Sequence, residues 1–208
     1  MRYPNFEEEK LLWQKGFQQV VGLDEAGRGA LAGPVVAAAV LIKKPILGLK
    51  PELKGINDSK KLSKKKREKF YQKINNHKQI KWGVGVVSEK IIDEINILEA
   101  TKLAMKRALK NLRIRNKGLK IDYLLLDGNF TLNSIMRQKA VVHGDQKVIS
   151  ISAASVIAKV TRDKIMEKMH EKYPQYGFHK HKGYPTKLHR DILKKIGASP
   201  IHRKSFNF

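Results

Sequence analysis

Short runs of β-branched and apolar residues alternate along this chain with longer stretches where apolar side chains recur every three or four positions. These are the two periods that separate strands from helices. Val20 to Leu23 reads as a buried strand, and Pro34 to Ile42 (PVVAAAVLI) as its neighbour after a glycine-rich connection. Ile80 to Val87 (IKWGVGVV) alternates as a third strand, while Tyr123 to Leu126 and Ala140 to Val142 are short apolar strands running into Asp127-Gly128-Asn129 and His143-Gly144-Asp145. Gly48 to Asp58 reads as a loop, after which Ser63 can cap a helix running towards Asn75. Ser88 to Leu112 carries Ile91, Ile95, Leu98, Leu103 and Leu109 at helical spacing, which marks them as core residues. Ser150 to Tyr173 is a long helix whose small-residue start, Ser152-Ala153-Ala154-Ser155, suits close packing against a sheet, and a short helix follows near Thr186 to Lys195. Strands first, then alternating helix and strand, give an α/β fold with a mixed sheet and helices on its faces. At 208 residues one core is expected, so residues 1–208 read as a single domain whose basic C-terminal extension, partly helical, begins at about residue 174.

In sheets of this kind, sites collect at strand ends. Asp24, Glu25, Asp127 and Asp145 all occupy predicted strand ends beside glycine. Consecutive strand residues point to opposite faces, so Asp24 and Glu25 share a side only if the strand bends or ends there, which Gly27 and Gly29 permit. An acid pair capping an exposed turn gives the same local pattern. Net charge then enlarges the picture: 43 Lys plus Arg stand against 19 Asp plus Glu, for +24 overall. Such an imbalance favours a polyanionic partner, nucleic acid first, but a noncatalytic binder would carry the same charge. Lys64, Lys65, Lys66 and Arg67 crowd the first turn of a predicted helix, the wrong sign for its dipole, and are better explained by an external anion than by helix stability. The chain has no cysteine, which excludes disulfides, thiolate zinc sites and cysteine nucleophiles. No apolar signal core opens the sequence and no run reaches the ~20 apolar residues of a membrane span, so a cytoplasmic protein with no membrane partner is expected. Converging carboxylates in such a chain suit Mg²⁺ or Mn²⁺, hard ions that also take phosphate oxygens and support phosphodiester displacement.

The motifs sharpen this. GLDEAGRGALAGPVVAAAV from Gly22, NDSKKLS from Asn57, LLLDGN from Leu124, GDQKVISISAASVIAKVTRD from Gly144 and HKGYPTKLH from His181 together resemble type 2 ribonuclease H, the bacterial ribonuclease HII family. The resemblance covers nearly the whole chain in order. It implies a ribonuclease H-like fold, with Asp24, Glu25, Asp127 and Asp145 as catalytic, metal-binding acids. It further implies endonucleolytic cleavage of RNA in RNA/DNA hybrids and incision 5′ to a ribonucleotide embedded in duplex DNA, leaving 3′-hydroxyl and 5′-phosphate ends. Primer removal and ribonucleotide excision repair are the implied roles. In the family the backbone matching Gly27, Arg28 and Gly29 contacts the ribose 2′-OH and the tyrosine matching Tyr184 stacks on that sugar; Lys60 joins this substrate-binding set. Related type 3 enzymes usually carry an extra N-terminal domain, for which a DE pair at Asp24 leaves no room. A monomer is expected. The terminal KSFNF is similar to sliding-clamp-binding tails, although a segment packing back on the body is the more economical reading.

Asp163 reads as a partner in a helical ion pair rather than a catalytic acid, and the spacing of His179, His181 and His189 does not support a zinc site. His202 and Arg203 read as phosphate contacts or solvated surface. The rival functions are a noncatalytic nucleic-acid binder and a Mg²⁺-dependent DNA nuclease on the same broad fold. If the cationic surface carries the polyanion, even six neutralised phosphates imply about a 10³-fold affinity loss between roughly 50 and 200 mM salt. Replacing Lys60, Lys64 and Lys65 together with Gln is expected to flatten the slope of log affinity against log salt; an unchanged slope places the phosphate track elsewhere.

Overall fold

The computed structural model describes residues 3–43, 53 and 55–207. Of the predicted loop from Gly48 to Asp58, residues 48–52 and 54 lie outside the described residues. In chain order the elements are α1 (Glu7–Gln14), β1 (Val20–Ala26), β2 (Val35–Ile42), α2 (Lys64–Asn76), β3 (Ile80–Val87), α3 (Glu89–Arg115), β4 (Tyr123–Asp127), β5 (Arg137–Val141), α4 (Ile149–Lys172), a four-residue α5 (Phe178–His181) and α6 (Lys187–Ile196). The strands form a sheet in the order β3-β2-β1-β4-β5. β1, β2 and β3 run antiparallel as a meander, while β4 and β5 lie parallel to their neighbours on the far side of β1.

All eight residues of β2 are buried, because the sheet is covered on both faces. On one face α2 and α4 bury Val20, Ala38, Val40 and Ile42 against Phe70, Ile74, Val156 and Ile157. On the other, α3 packs Ala104, Met105, Ala108 and Leu112 against Val21, Leu23, Ala37 and Ala39. Both helices approach closely because the strand under each carries glycine. A Cβ at Gly22 would collide with the Ser150–Ile151 backbone of α4, and one at Gly85 with the Ala104 carbonyl of α3. A third, smaller cluster of Leu31, Ala32, Met166, Tyr176, Phe178, Leu193 and Ile201 seats the C-terminal extension on α4 and on the loop after β1.

The sequence misplaces some details. The stretch expected as one helix from Ser88 is broken at Asn96, whose φ of 64° is non-helical; its Oδ1 accepts from Leu98 N and Glu99 N and so caps a second helix. That break rotates the apolar stripe: Leu98 is exposed, whereas Ala100, Ala104 and Ala108 face the sheet. β1 continues past Leu23 to Ala26, paired with β2 throughout, so the strand does not end at the acid pair. Helix α1 was unforeseen. Its Glu9 is buried and its Oε1 accepts the Ser150 amide at 3.0 Å, capping α4 from another element.

Among the described residues no helix is long and apolar enough to cross a membrane. Burial raises the Glu9 carboxyl to about 7, against the opposing pull of the Ser150 hydrogen bonds. A folded-state value above the ordinary 4.5 favours the protonated form in the fold, so this contribution is complete below pH 4.5 and is lost as pH rises towards 7. Glu9→Gln is therefore expected to equal wild type in stability near pH 4.5 and to exceed it at pH 8 by at most about 3 kcal/mol. Urea unfolding at both pH values checks this; a variant less stable at pH 8 would show that the charged form is the better cap.

Candidate metal centre and nucleic-acid interface

Three of the predicted acids converge. Asp24 projects from β1, Asp127 from the end of β4, and Asp145 from a short 3₁₀ turn, Gly144–Gln146, that leads into α4. One carboxylate oxygen from each lies within 4.8 Å of the others. The parallel pairing of β1 with β4 sets Leu23 opposite Leu126, which brings the following acids side by side. The Asp127 Oδ1 accepts from Gly144 N at 2.7 Å, tying the turn that carries Asp145 to the end of β4. Glu25 stands apart. In continuous strand it leaves the opposite face of the pleat from Asp24, and its Oε1 meets the Arg28 guanidinium at 3.6 Å while its Oε2 is buried without a hydrogen-bond partner.

Electrostatics shows what the cluster lacks. Burial, then the charges of Glu25 and Asp127, pushes the Asp24 carboxyl well above its usual range. Burial raises Glu25 to about 7, and burial with Asp127 and Asp58 raises Asp145 to about 6. Crowded, half-desolvated acids of this kind are short of positive charge. Lys60 supplies some: burial disfavours its charge, but Asp58, Asp24 and Asp145 outweigh that and hold it above the ordinary lysine value. Asp58, unassigned from sequence, is itself buried, and its charge helps to raise the Asp145 carboxyl. Its Oδ1 accepts from Lys60 N, which fixes the backbone that carries the lysine.

The Gly27–Gly29 turn forms the rim. Gly27 has φ +101° and a Cβ there would strike Arg162, so glycine is a structural requirement. A Cβ at Gly29 would meet nothing within 4 Å; that face is open. Two fully buried arginines hold the turn from beneath. Arg203 donates to the carbonyls of Gly27 at 2.7 Å, Arg28 at 2.9 Å and Gly33 at 2.9 Å, and Arg162 to those of Ala32, Pro34 and Lys182 at 2.9–3.0 Å. Peptides are planar and trans, so drawing the Gly27 and Arg28 carbonyls inward turns the N–H groups of Arg28 and Gly29 outward. Tyr184 lies across the mouth, its ring centroid 5.0 Å from the Arg162 guanidinium carbon and 5.2 Å from Lys159 Nζ.

The cationic run at α2 is only partly free. Lys64 pairs with Glu167 at 3.0 Å, and Arg67 donates to the Ser59 and Leu62 carbonyls, bracing the loop that carries Asp58; Lys65 and Lys66 remain exposed. The reading of His202 and Arg203 as surface or phosphate contacts is corrected: both are buried. The expected ion pair of Asp163 is present, with Lys159 at 2.7 Å. A dipeptide such as His-Arg near a basic terminus carries no sequence signal for burial, so the arginine clamp was illegible beforehand.

Comparison with known proteins agrees with this architecture. A family model for ribonuclease HII matches residues 21–208. A ribonuclease HII of Acetivibrio thermocellus is 52% identical over 198 residues, which is 95% of this chain and 73% of that protein. One of Acholeplasma laidlawii is 48% identical over 206 residues, 99% of this chain and 96% of the other. Among solved structures, a chain of the PCNA:RNase HII complex from Archaeoglobus fulgidus superposes with a TM-score of 0.70 at 26% identity, over 91% of this chain and 96% of that one.

Arg203→Lys keeps the charge but cannot fork across three carbonyls, leaving buried acceptors unpaired at about 1–3 kcal/mol each. Thermal or urea unfolding is expected to show a loss of about 3 kcal/mol, with partial compensation by water. Wild-type stability in this variant would mean that the clamp contributes nothing to holding the turn.

Proposed function

The chain belongs to the ribonuclease HII family and is an endoribonuclease of the type 2 ribonuclease H class, and on that premise we propose that Asp24, Asp127 and Asp145, with Glu25 beside them, hold the Mg²⁺ or Mn²⁺ on which cleavage depends. The observation that carries this reading is the approach of three carboxylate oxygens within 4.8 Å, two of the acids buried. Oxygen-only donors with unbalanced negative charge fit a hard divalent ion. When bound, such an ion supplies Lewis-acid polarisation of phosphate and activation of water.

The remaining roles follow from the chain's own groups. Without a cation the acids would repel phosphate, which argues against a purely binding protein: a binder gains nothing from buried carboxylates at the floor of its groove. The outward N–H groups of Arg28 and Gly29, over an open face, offer donors to a ribose 2′-OH, the group that separates RNA from DNA. The Tyr184 ring would offer a flat face to the same sugar, and Lys60, whose charge is supported by Asp24 and Asp145, would meet the phosphate. We therefore read the substrate as RNA paired with DNA, including single ribonucleotides embedded in duplex DNA, cut 5′ to the ribonucleotide to leave 3′-hydroxyl and 5′-phosphate ends. The whole chain acts as one catalytic unit, its extension from about residue 174 completing the rim. The tail supports packing back on the body rather than presentation to a clamp: Ser205 N and Oγ donate to Asp93 and Phe206 lies against Arg203, with Phe208 outside the described residues.

Purified protein with Mg²⁺ and matched duplexes containing no ribonucleotide, one ribonucleotide or an RNA tract tests the reading; cleavage of the all-DNA duplex alone would overturn it. Asp24→Asn or Asp127→Asn is expected to reduce cleavage by orders of magnitude with substrate binding retained, and near-normal turnover in either would remove the metal assignment. Mg²⁺ is expected to raise the melting temperature of wild type and not of Asp24→Asn, a readout independent of activity. Tyr184→Ala and Gly29→Val are both expected to slow single-turnover incision at one ribonucleotide about tenfold with little change in all-DNA binding. Valine at position 29 would fill the open face rather than displace the backbone. Wild-type rates for both would refute ribose reading while leaving the acids untouched.

A further inference from the structure

Three buried side chains of the C-terminal extension form a line that ends on the backbone of Tyr184. Ser199, His202 and His189 are 6%, 3% and 0% exposed. The His202 Nδ1 lies 2.8 Å from Ser199 N and 2.7 Å from Ser199 Oγ, the Nε2 atoms of His202 and His189 are 3.0 Å apart, and the His189 Nδ1 is 3.0 Å from the Tyr184 carbonyl oxygen. The two ends dictate every proton between them. A carbonyl only accepts, so His189 carries its hydrogen on Nδ1; a backbone N–H only donates, so His202 accepts on Nδ1 and carries its hydrogen on Nε2. His202 must then donate to His189. Both rings are neutral in this arrangement, since a further proton on either would set N–H against N–H or against the Ser199 amide. Burial accordingly lowers both histidines, His202 to about 4.

His181 stacks on His189 at 4.0 Å and is itself committed, with Nε2 on the Tyr176 carbonyl at 2.8 Å and Nδ1 accepting from Gly183 N at 3.2 Å. The His202 backbone is also part of the rim. It bridges antiparallel to Ala32, flanked by Arg203 N donating to the Leu31 carbonyl and Gly33 N to the Ile201 carbonyl, while Leu31 N donates to the Gly183 carbonyl. The same short segment thus holds the loop of the Gly27–Gly29 turn through its main chain and Tyr184 through its side chain.

We propose that Ser199, His202 and His189 are positioning residues, a neutral hydrogen-bond relay that sets Tyr184 at a fixed distance from the Gly27–Gly29 turn and so contributes to selection of a single embedded ribonucleotide. The proposal rests on the ribose-reading role of Tyr184 given above. Its test is a double-mutant cycle in the full chain, read by single-turnover incision of a duplex with one ribonucleotide, by affinity for an all-DNA duplex and by melting temperature. His202→Phe keeps the ring and removes the donor, and is expected to slow incision about tenfold with all-DNA affinity within about twofold of wild type. His202→Gln, whose amide places an N–H where Nε2–H stood, is expected to restore most of the rate. Because the relay acts through Tyr184, adding His202→Phe to Tyr184→Ala is expected to cost nothing further. Additive losses, or a His202→Gln variant as slow as His202→Phe, would overturn the relay. Slow Tyr184→Ala with wild-type His202→Phe would overturn it while leaving ribose reading intact, and wild-type Tyr184→Ala would remove both. If His202→Phe does not fold, His189→Leu against His189→Asn, which keeps a donor at the Nδ1 position, repeats the comparison. If neither apolar variant folds, the relay is a folding element and the positioning role is refuted.

Discussion

Crowding of like charge is the constraint around which this molecule is arranged. Asp24, Asp127 and Asp145 bring their oxygens within 4.8 Å of one another where water is partly excluded, and each carboxylate raises the cost of ionising the next. The surrounding structure offsets that cost with rigid positioning. A parallel β1–β4 pair fixes two acids, the Gly144 amide anchors the turn that carries the third, and Lys60 and the Asp58 carboxyl order the far side. A cation held there, as proposed above, would complete the balance, and affinity for metal and catalytic competence would then be one property.

Positive charge is used in two different ways. Exposed lysines such as Lys65 and Lys66 are available to a polyanion, consistent with the +24 net charge. Arg162 and Arg203 are buried, face carbonyls rather than phosphates, and act on geometry. A guanidinium suits this task because its planar fork reaches several acceptors at once and is more weakly hydrated than an ammonium. Their effect is to aim peptide N–H groups outward along an open rim, leaving that surface polar without placing a side chain there.

The strands were legible where local apolar runs mark them, in β3 and the cores of β1, β2 and β4, but β5 spans Arg137–Val141 rather than the expected Ala140 to Val142, because its first three residues are polar. Helices were legible where a run of small and apolar residues is long enough, as in α4, buried on all sides over its first turns, and misread where a single residue resets the register, as at Asn96. Helix α1 escaped notice because its buried face is short and its first turn is Glu7, Glu8 and Glu9, a pattern that reads as solvated surface until one of the three is found capping α4.

Local order, composition and motif wording therefore determined the class of fold, the family and the acids proposed for the site, since these depend on residue type and spacing along the chain. The tertiary structure decided which acid oxygens converge, because strand pleat and pairing register, not sequence proximity, place Asp24 beside Asp127 and turn Glu25 towards Arg28. It also decided that His202 and Arg203, polar and near a basic terminus, lie buried beneath the rim. Their partners are Tyr184 through His189, and carbonyls 170 or more residues earlier in the chain. Backbone carbonyls are the same in every sequence, so a contact made to them leaves no trace in the pattern of residues.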